Sequence, residues 1–275
     1  MKARLLSSYC PRELENLGQL AMQIRPLISR YLRRRAPAKN AILVSKARSG
    51  TNYFLDVYAN SVPNSTSFRE IFRPTGDSFL LMKKTLGLEK GEYLECIKDD
   101  PLRIWLRLEE ISQKSGQRFM AKIFYDHATG HPELWEYFRD RNQVIHLIRR
   151  NPFDSLVSFN VANQTGKWLQ AKSTEPPSMP KPFALPRAKV ETYITQAEKH
   201  IKATRAFFGE AKYSEVFYED ISTSVQRCAA TICDILQEDA ATAQAKTRMH
   251  KQKNYTNQSI VSNYDEVCDL DRYFF

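Results

Sequence analysis

Short, continuous apolar runs alternate with longer segments of helical spacing along most of the chain. Four runs have the length and composition of buried strands, and they cover residues 41–45, 118–125, 143–149 and 214–220. Because buried strands that alternate with helices are typical of a parallel sheet covered on both faces, the pattern predicts an α/β doubly wound fold. Ligands of such sheets bind beyond the carboxyl ends of the strands, so the loops that follow strands are the candidate sites.

Two segments fall outside this alternation. Residues 12–35 place five apolar side chains at helical spacing and end in three arginines, which predicts a helix that packs on the core. We therefore divide the chain into an N-terminal helical segment, residues 1–38, and one domain, residues 39–275. Within that domain residues 171–189 are rich in proline, which predicts a long surface loop or lid.

The formal net charge of +10 at pH 7 indicates an anionic partner: a nucleotide, a nucleic acid or a membrane surface. The sequence has no zinc-finger spacing, no RNA-recognition sequence and no continuous basic helix, which argues against nucleic acid. It also has no apolar stretch near the roughly 18 residues of a spanning helix and no signal-peptide pattern. We therefore expect no stable membrane insertion and a cytoplasmic location. No pattern indicates the oligomeric state.

The first candidate anion site is the sequence SKARSGTN at residues 45–52, directly after the first predicted strand. A glycine and small polar residues open a helix there, and a strand, a tight loop and a helix N-terminus together direct unpaired N–H groups at one point. This combination predicts a phosphate site. We assign to it Arg48, Ser49, Gly50, Thr51 and Asn52.

This loop differs from the nucleoside-triphosphate loop G-x-x-x-x-G-K-[ST]. Thr51 stands at the position of the phosphate-binding lysine, and Asn52 stands at the position of the magnesium-binding hydroxyl. The loop therefore suits a phosphate-containing anion that is handled without a metal, with Arg48 supplying a fixed charge and a fork of donors. The alternative is a P-loop-like nucleotide kinase, which would need the missing lysine and metal ligand.

The second candidate anion site follows the strand at 143–149. Asn151 is placed as the cap of a helix, Pro152 as its first residue, and Ser158 returns to the same face two turns later. Arg150 before the helix and the Ser158 hydroxyl within it are thus able to close on one phosphate. The alternative is an ordinary arginine at a strand end and an ordinary helical serine.

Together, these two elements resemble the donor-binding elements of the sulfotransferases that use 3′-phosphoadenosine-5′-phosphosulfate (PAPS). The resemblance is closest to the bacterial carbohydrate and nodulation-factor type. It is carried by RSGTN at 48–52 and RRNPFDSLVSFNVA at 149–162, and it extends to AKIFYDH at 121–127, VFYEDI at 216–221 and the tail at 251–267.

This resemblance implies a P-loop-like parallel sheet flanked by helices in a single domain. It implies transfer of the sulfuryl group from PAPS to a hydroxyl or nitrogen of a small acceptor, a saccharide or a specialised metabolite, with 3′-phosphoadenosine-5′-phosphate (PAP) as product and no metal. The loop at 48–52 would hold the 5′-phosphosulfate, and Arg150 and Ser158 would hold the 3′-phosphate.

A hydroxyl acceptor must lose a proton as it attacks, which requires a general base near the sulfur. Glu70 follows a short strand-like segment in SFREIFRP, which resembles the family's Glu-x-Phe element, and it is our candidate base. His127 is the rival. Lys122 matches a family position that helps the departing oxygen; the alternative is a surface lysine.

Other residues carry weaker expectations. Tyr53 either stacks on adenine or packs in the core, and Trp168 either lines the acceptor pocket or packs. Lys251 is assigned to the nucleotide, although the tail lacks the glycine of other branches of the family. Glu219 and Asp220 look like a carboxylate pair, but neighbouring strand residues point to opposite faces, so we interpret them as structural.

Overall fold

The computed structural model describes residues 40–73, 78–168, 179–209, 211–238, 245–249 and 255–275. The predicted N-terminal helical segment therefore lies outside the described residues, as do Lys251 and residues 171–178 of the proline-rich region.

Five parallel strands form one sheet, which confirms the predicted α/β class. The strands are β1 (Ala41–Ser45), β2 (Ser65–Glu70), β3 (Arg118–Phe124), β4 (Gln143–Ile148) and β5 (Tyr213–Phe217). Their order across the sheet is β2-β3-β1-β4-β5. Strand β1 is thus central, and Ala41 lies beside Met120 of β3 and Gln143 of β4.

Helices connect the strands. They are α1 (Thr51–Ser61), α2 (Ser78–Leu86), α3 (Lys90–Asp99), α4 (Pro101–Ser115), α5 (Pro132–Arg141), α6 (Pro152–Thr165), α7 (Arg187–Phe208), α8 (Tyr218–Ile221), α9 (Val225–Leu236) and α10 (Asn257–Ile260), followed by two 3₁₀ turns, Tyr264–Glu266 and Cys268–Leu270. None of the described helices combines the length and apolar character that crossing a bilayer requires.

The alternation of side chains along the central strand explains why helices cover both faces. Ile42 and Val44 point to one face, where they join a core with helices α4 and α5. Ala41 and Leu43 point to the other face, where they join a core with helices α1 and α9. A third apolar cluster joins α6, α7 and the C-terminal turns. Helices therefore cover both faces of the sheet, and the loops at the carboxyl ends of the strands are available to form a site.

Some predicted boundaries are wrong, and three of them bear on the site. Strand β5 ends at Phe217, and Tyr218–Ile221 forms a helical turn, where we expected the strand to continue to residue 220. Phe217 pairs with Ile148, the last residue of β4, so no neighbouring strand remains beyond it. Glu70 ends strand β2 and does not follow it. Helix α7 begins at Arg187, inside the predicted loop at 171–189.

Candidate active site

The loop between β1 and α1 has the backbone of an anion cradle. Arg48 and Gly50 both adopt left-handed conformations, with φ of 69° and 84°. Helix α1 begins at Thr51, and no side chain caps the N–H groups of its first turn. Those N–H groups and the positive end of the helix dipole are left for a ligand, and an anion satisfies both.

Gly50 is required at this position for two reasons. Its positive φ is strained for any residue with a Cβ, and a Cβ placed there would lie 2.2 Å from Cδ2 of Tyr218. The Arg149 guanidinium lies 5.1 Å from the centre of the Tyr218 ring, and its Nη1 donates to the Arg48 carbonyl at 3.1 Å. The cradle loop therefore packs against Arg149, which follows β4, and Tyr218, which follows β5.

Arg48 connects the cradle to the second candidate anion site. Its Nε donates to Oγ of Ser158 in α6 at 3.1 Å, and its Nη1 donates to the carbonyl of Trp168 at 2.6 Å. Burial lowers the pKa of Arg48, with charged neighbours contributing in both directions. The structure thus brings Arg48 and Ser158 into direct contact, which their separation in the sequence does not indicate.

Arg150 is held by a different partner. Its Nη1 and Nη2 donate to the two carboxylate oxygens of Asp220 at 2.6 and 2.9 Å, and its guanidinium carbon lies 4.0 Å from the centre of the Phe217 ring. Its backbone N–H donates to Glu219 Oε2 at 3.1 Å. Two of the five guanidinium N–H groups are used by Asp220.

Glu219 and Asp220 therefore act on the same residue and not on opposite faces of a strand. Both lie in the helical turn α8, so the argument from strand geometry is wrong, and both contact Arg150. The predicted start of α6 is confirmed: Asn151 caps the helix by accepting from the Asp154 N–H at 3.3 Å, and Pro152 is its first residue.

Lys122 connects the cradle to the candidate base. Its Nζ lies 2.9 Å from Oε1 of Glu70 and donates to Oδ1 of Asn52 at 2.8 Å. Its side chain is 3% exposed, so the alternative of a surface lysine is wrong. One ammonium group from β3 therefore joins the end of β2 to the first turn of α1.

The charges of Glu70 and Lys122 affect each other's pKa. Burial acts to raise the pKa of the Glu70 carboxyl, but the charge and hydrogen bond of Lys122, together with Arg73, outweigh burial and leave the pKa below its ordinary value. Arg73 Nη1 lies 3.1 Å from Glu70 Oε2. Burial lowers the pKa of Lys122, and Glu70 opposes that shift. Glu70 is thus a carboxylate at neutral pH.

His127 lies near Glu70 and Lys122, in the turn after β3. Its Nδ1 accepts from the Phe124 N–H at 3.3 Å, and its ring centre lies 5.2 Å from that of Phe124. Burial lowers the pKa of His127, while Asp126 and Glu70 oppose the shift. The ring is therefore neutral at pH 7, and both candidate bases are placed near Lys122.

The two predicted aromatic contacts differ in exposure. Tyr53 is partly buried and packs against the core formed by α1 and α9, and burial raises its pKa. Trp168 is 42% exposed, and its ring centre lies 5.6 Å from that of Phe159. Since its carbonyl binds Arg48, Trp168 stands directly beside the cradle.

Sequence reasoning missed a cleft beneath α7 that adjoins the cradle. Its lining includes Ser49 of the cradle, Lys46, Tyr125 and Tyr193. Lys46 Nζ lies 3.7 Å from the centre of the Tyr193 ring. The position of Lys46 directly after β1 was the available signal, but the contact with Tyr193 joins residues 147 positions apart and left no local pattern.

Comparisons with known proteins agree with this arrangement. Residues 111–266 match the family model described as Stf0 sulphotransferase. Nodulation protein H of Rhizobium meliloti (strain 1021) is 29% identical over 242 residues, covering 84% of this chain and 90% of that protein.

Two solved structures are also similar. The sulfotransferase from Alicyclobacillus acidocaldarius has a TM-score of 0.45 and 16% identity, over 78% of this chain and 87% of its own. Mouse sulfotransferase SULT7A1 complexed with PAP has a TM-score of 0.42 and 17% identity, over 84% and 75%.

The family match spans more than half of the chain and includes Lys122, Arg150 and Ser158. The chain therefore belongs to the Stf0 sulphotransferase family and is a PAPS-dependent sulfotransferase.

Proposed function

We propose that this enzyme transfers the sulfuryl group of PAPS to a hydroxyl of a saccharide, with Glu70 as general base and Lys122 as the cation that stabilises the departing phosphate oxygen. The observation that supports these roles is the position of the Lys122 ammonium, 2.9 Å from Glu70 and 2.8 Å from Asn52 of the cradle. The resemblance to the nodulation-factor type supports a saccharide over a specialised metabolite or a nitrogen acceptor.

The residues of the two anion sites fit the two ends of the donor. The uncapped first turn of α1 suits the 5′-phosphosulfate, with Arg48 beside it. Arg150 and Ser158 are assigned to the 3′-phosphate, and the contact of Ser158 with Arg48 supports a short distance between the two sites. Ser158 already binds Arg48, and Asp220 holds the Arg150 guanidinium in a fixed orientation.

In the proposed transfer, side chains of this chain take up the acceptor proton and stabilise the charge on the departing phosphate oxygen. The acceptor oxygen forms a bond to sulfur as the bond between sulfur and the 5′-phosphate oxygen breaks, and the acceptor proton passes to Glu70. Negative charge returns to the phosphate oxygen, where Lys122 and Arg48 stabilise it. As Lys122 turns its charge toward that oxygen, Glu70 loses part of the interaction that lowers its pKa. Its affinity for the proton therefore rises when the proton must be taken up.

The roles of the two candidate bases are tested by glutamine substitutions. We measure ³⁵S transfer from labelled PAPS to a panel of oligosaccharides and amines. We expect Glu70→Gln to lower kcat by about 10²- to 10⁴-fold, the usual contribution of a general base, and His127→Gln to lower it by less than about tenfold. The opposite ranking would make His127 the base, and label that enters only amines would refute the hydroxyl acceptor.

The donor site is tested by titration calorimetry with PAP and without metal. We expect PAP to bind far more tightly than adenosine-5′-monophosphate, because only PAP carries the 3′-phosphate. Arg150→Ala should weaken PAP binding by about tenfold or more, the usual effect of losing a charge-assisted contact. Equal affinity for the two nucleotides, or binding of ATP only with magnesium, would instead support the kinase alternative.

The remaining parts of the proposal are a small-molecule acceptor, a cytoplasmic location and no nucleic-acid partner. We expect no gel shift with DNA or RNA at 150 mM salt; a shift that weakens steeply with salt would indicate nucleic-acid binding. Cell fractionation tests the location, and recovery in a membrane or secreted fraction would refute it.

A further inference from the structure

The cleft beneath α7 opens directly onto the donor cradle. Ser49 belongs to both, since it lies in the cradle loop and lines the cleft. The other lining residues come from the end of β4, from the loops after β1, β3 and β4, from α6 and α7, and from the last residue, Phe275. A group bound in this cleft therefore lies beside the cradle loop and contacts α7.

Lys46 places a positive charge in the cleft. Within the described part of the chain it forms no ion pair, and its ammonium lies against the face of Tyr193 at 3.7 Å from the ring centre. Burial lowers its pKa to about 8, and the nearby carboxylate of Asp126 opposes that shift. Burying an ammonium that has no direct ion pair costs free energy, and an anionic ligand that contacts Lys46 would offset part of that cost.

Tyr125 forms a firmly held wall of the same cleft. Its hydroxyl lies 2.6 Å from Nε2 of His146, and Nδ1 of His146 lies 2.6 Å from the Tyr213 hydroxyl. Tyr213 in turn donates to Glu215, which is paired with Arg205 of α7. The Tyr125 ring is therefore held in one orientation and forms a rigid wall of the cleft for a small ligand group.

The turn after β3 lies between this cleft and the residues around Glu70 and Lys122. It carries Tyr125, Asp126 and His127 in succession. The charge of Asp126 acts on Lys46 on one side and on His127 on the other. Lys46 and His127 therefore both lie near Asp126, one on the side of the cleft and the other on the side of Glu70.

We propose that Lys46 and Tyr193 form a subsite for an anionic substituent of the acceptor, such as the carboxylate of an acidic sugar. The inference rests on the proposed function and narrows its substrate class: the enzyme prefers acceptors that already carry a negative charge away from the reacting hydroxyl. Lys46 binds the charged group, and Tyr125 and Tyr193 contact the body of the acceptor.

The test uses two pairs of probes that differ only in charge. The sugar pair is p-nitrophenyl β-D-glucuronide and its glucuronamide, and the phenol pair is 4-hydroxyphenylacetate and 4-hydroxyphenylacetamide. We measure binding of each by saturation-transfer NMR with PAP present, and ³⁵S transfer with PAPS. For the wild type we expect the acid of a pair to bind about tenfold more tightly than its amide, the effect of one charge-assisted contact.

Three variants separate the charge from packing. Lys46→Met keeps the apolar stem over Tyr193 and removes the charge, so the preference for the acid should fall below about twofold. Lys46→Arg keeps the charge and should retain part of the preference. Lys202→Gln removes a lysine charge from an exposed position of α7 outside the cleft lining, and it should keep the wild-type preference.

The outcomes distinguish the inference from the function on which it rests. Loss of acid preference in Lys46→Met but not in Lys202→Gln supports the subsite. Equal binding of acid and amide in both pairs, binding of no probe, or a preference that survives in Lys46→Met overturns it. Acid preference in the phenol pair alone keeps the subsite and refutes the saccharide. Absence of ³⁵S transfer to every acceptor despite acid-selective binding refutes the proposed acceptors only.

Discussion

Replacing Gly50 by alanine tests the packing on which the donor cradle depends. The new Cβ would lie 2.2 Å from Cδ2 and 2.3 Å from Cε2 of Tyr218, where ordinary contacts begin at 3.4 Å. The ring cannot simply move away, because Tyr218 starts the helical turn α8 and the Arg149 guanidinium lies 5.1 Å from its centre. The loop, the ring or both must shift.

The expected loss of stability has two parts. A side chain in the left-handed conformation, φ of 84° here, costs about 1–2 kcal/mol. Overpacking against the ring costs about 1–3 kcal/mol more. The free energy of unfolding should therefore fall by about 2–5 kcal/mol, a large part of the roughly 5–15 kcal/mol that holds a typical domain folded.

Urea denaturation of wild type, Gly50→Ala and Gly116→Ala measures the two parts separately. Gly116 also has a positive φ, 67°, but an added Cβ there would meet nothing within 4 Å. Gly116→Ala should therefore lose only the backbone part, about 1–2 kcal/mol. PAP affinity should fall in Gly50→Ala alone. Equal loss of stability in the two variants would refute the close contact between Gly50 and Tyr218.

Three further outcomes are expected at other groups. Burial lowers the pKa of His146 to about 4. Between about pH 4 and pH 6.5, His146 is therefore protonated in the unfolded chain and neutral in the folded chain. The free energy of unfolding should therefore fall by about 3 kcal/mol as the pH falls from 6.5 to about 4. An NMR titration that gives His146 an ordinary pKa would contradict this. Asp220→Asn should weaken PAP binding about tenfold by releasing the Arg150 guanidinium, whereas unchanged affinity would show that Asp220 does not orient it. Lys122→Met should lower kcat by about 10²- to 10³-fold and raise the pKa of Glu70, which moves the acidic limb of the rate profile to higher pH; an unmoved limb would exclude Glu70 as its source.

The parts of the fold that could be predicted are those with a local signal. Strand β1 was predicted with its observed bounds, because five consecutive apolar or small residues end at a polar loop. The cap and first residue of α6 followed from Asn151 and Pro152 alone. Strand β2 gave little signal, since only Phe68 among its six residues is buried at the edge of the sheet.

The parts of the site that could not be predicted depend on contacts between distant elements. The sequence predicted that Arg150 and Ser158 close on one phosphate, but it carried no information about Asp220, 70 residues away, which binds Arg150. Arg48 meets Ser158 across 110 residues. Side chains of arginine and lysine are long and flexible, so their partners are decided by tertiary packing and not by helical or strand period.

The order of the strands explains why one short loop is able to serve both halves of the reaction. Strand β1 lies between β3 and β4, so the loop after it meets Lys122 on one side and the residues following β4 on the other. Asn52 contacts Lys122, and Arg48 contacts Ser158. In-line transfer requires the attacking and leaving oxygens on opposite sides of sulfur. In the function we propose, the donor extends toward Arg150, which leaves the β3 side, where Glu70 lies, to the acceptor.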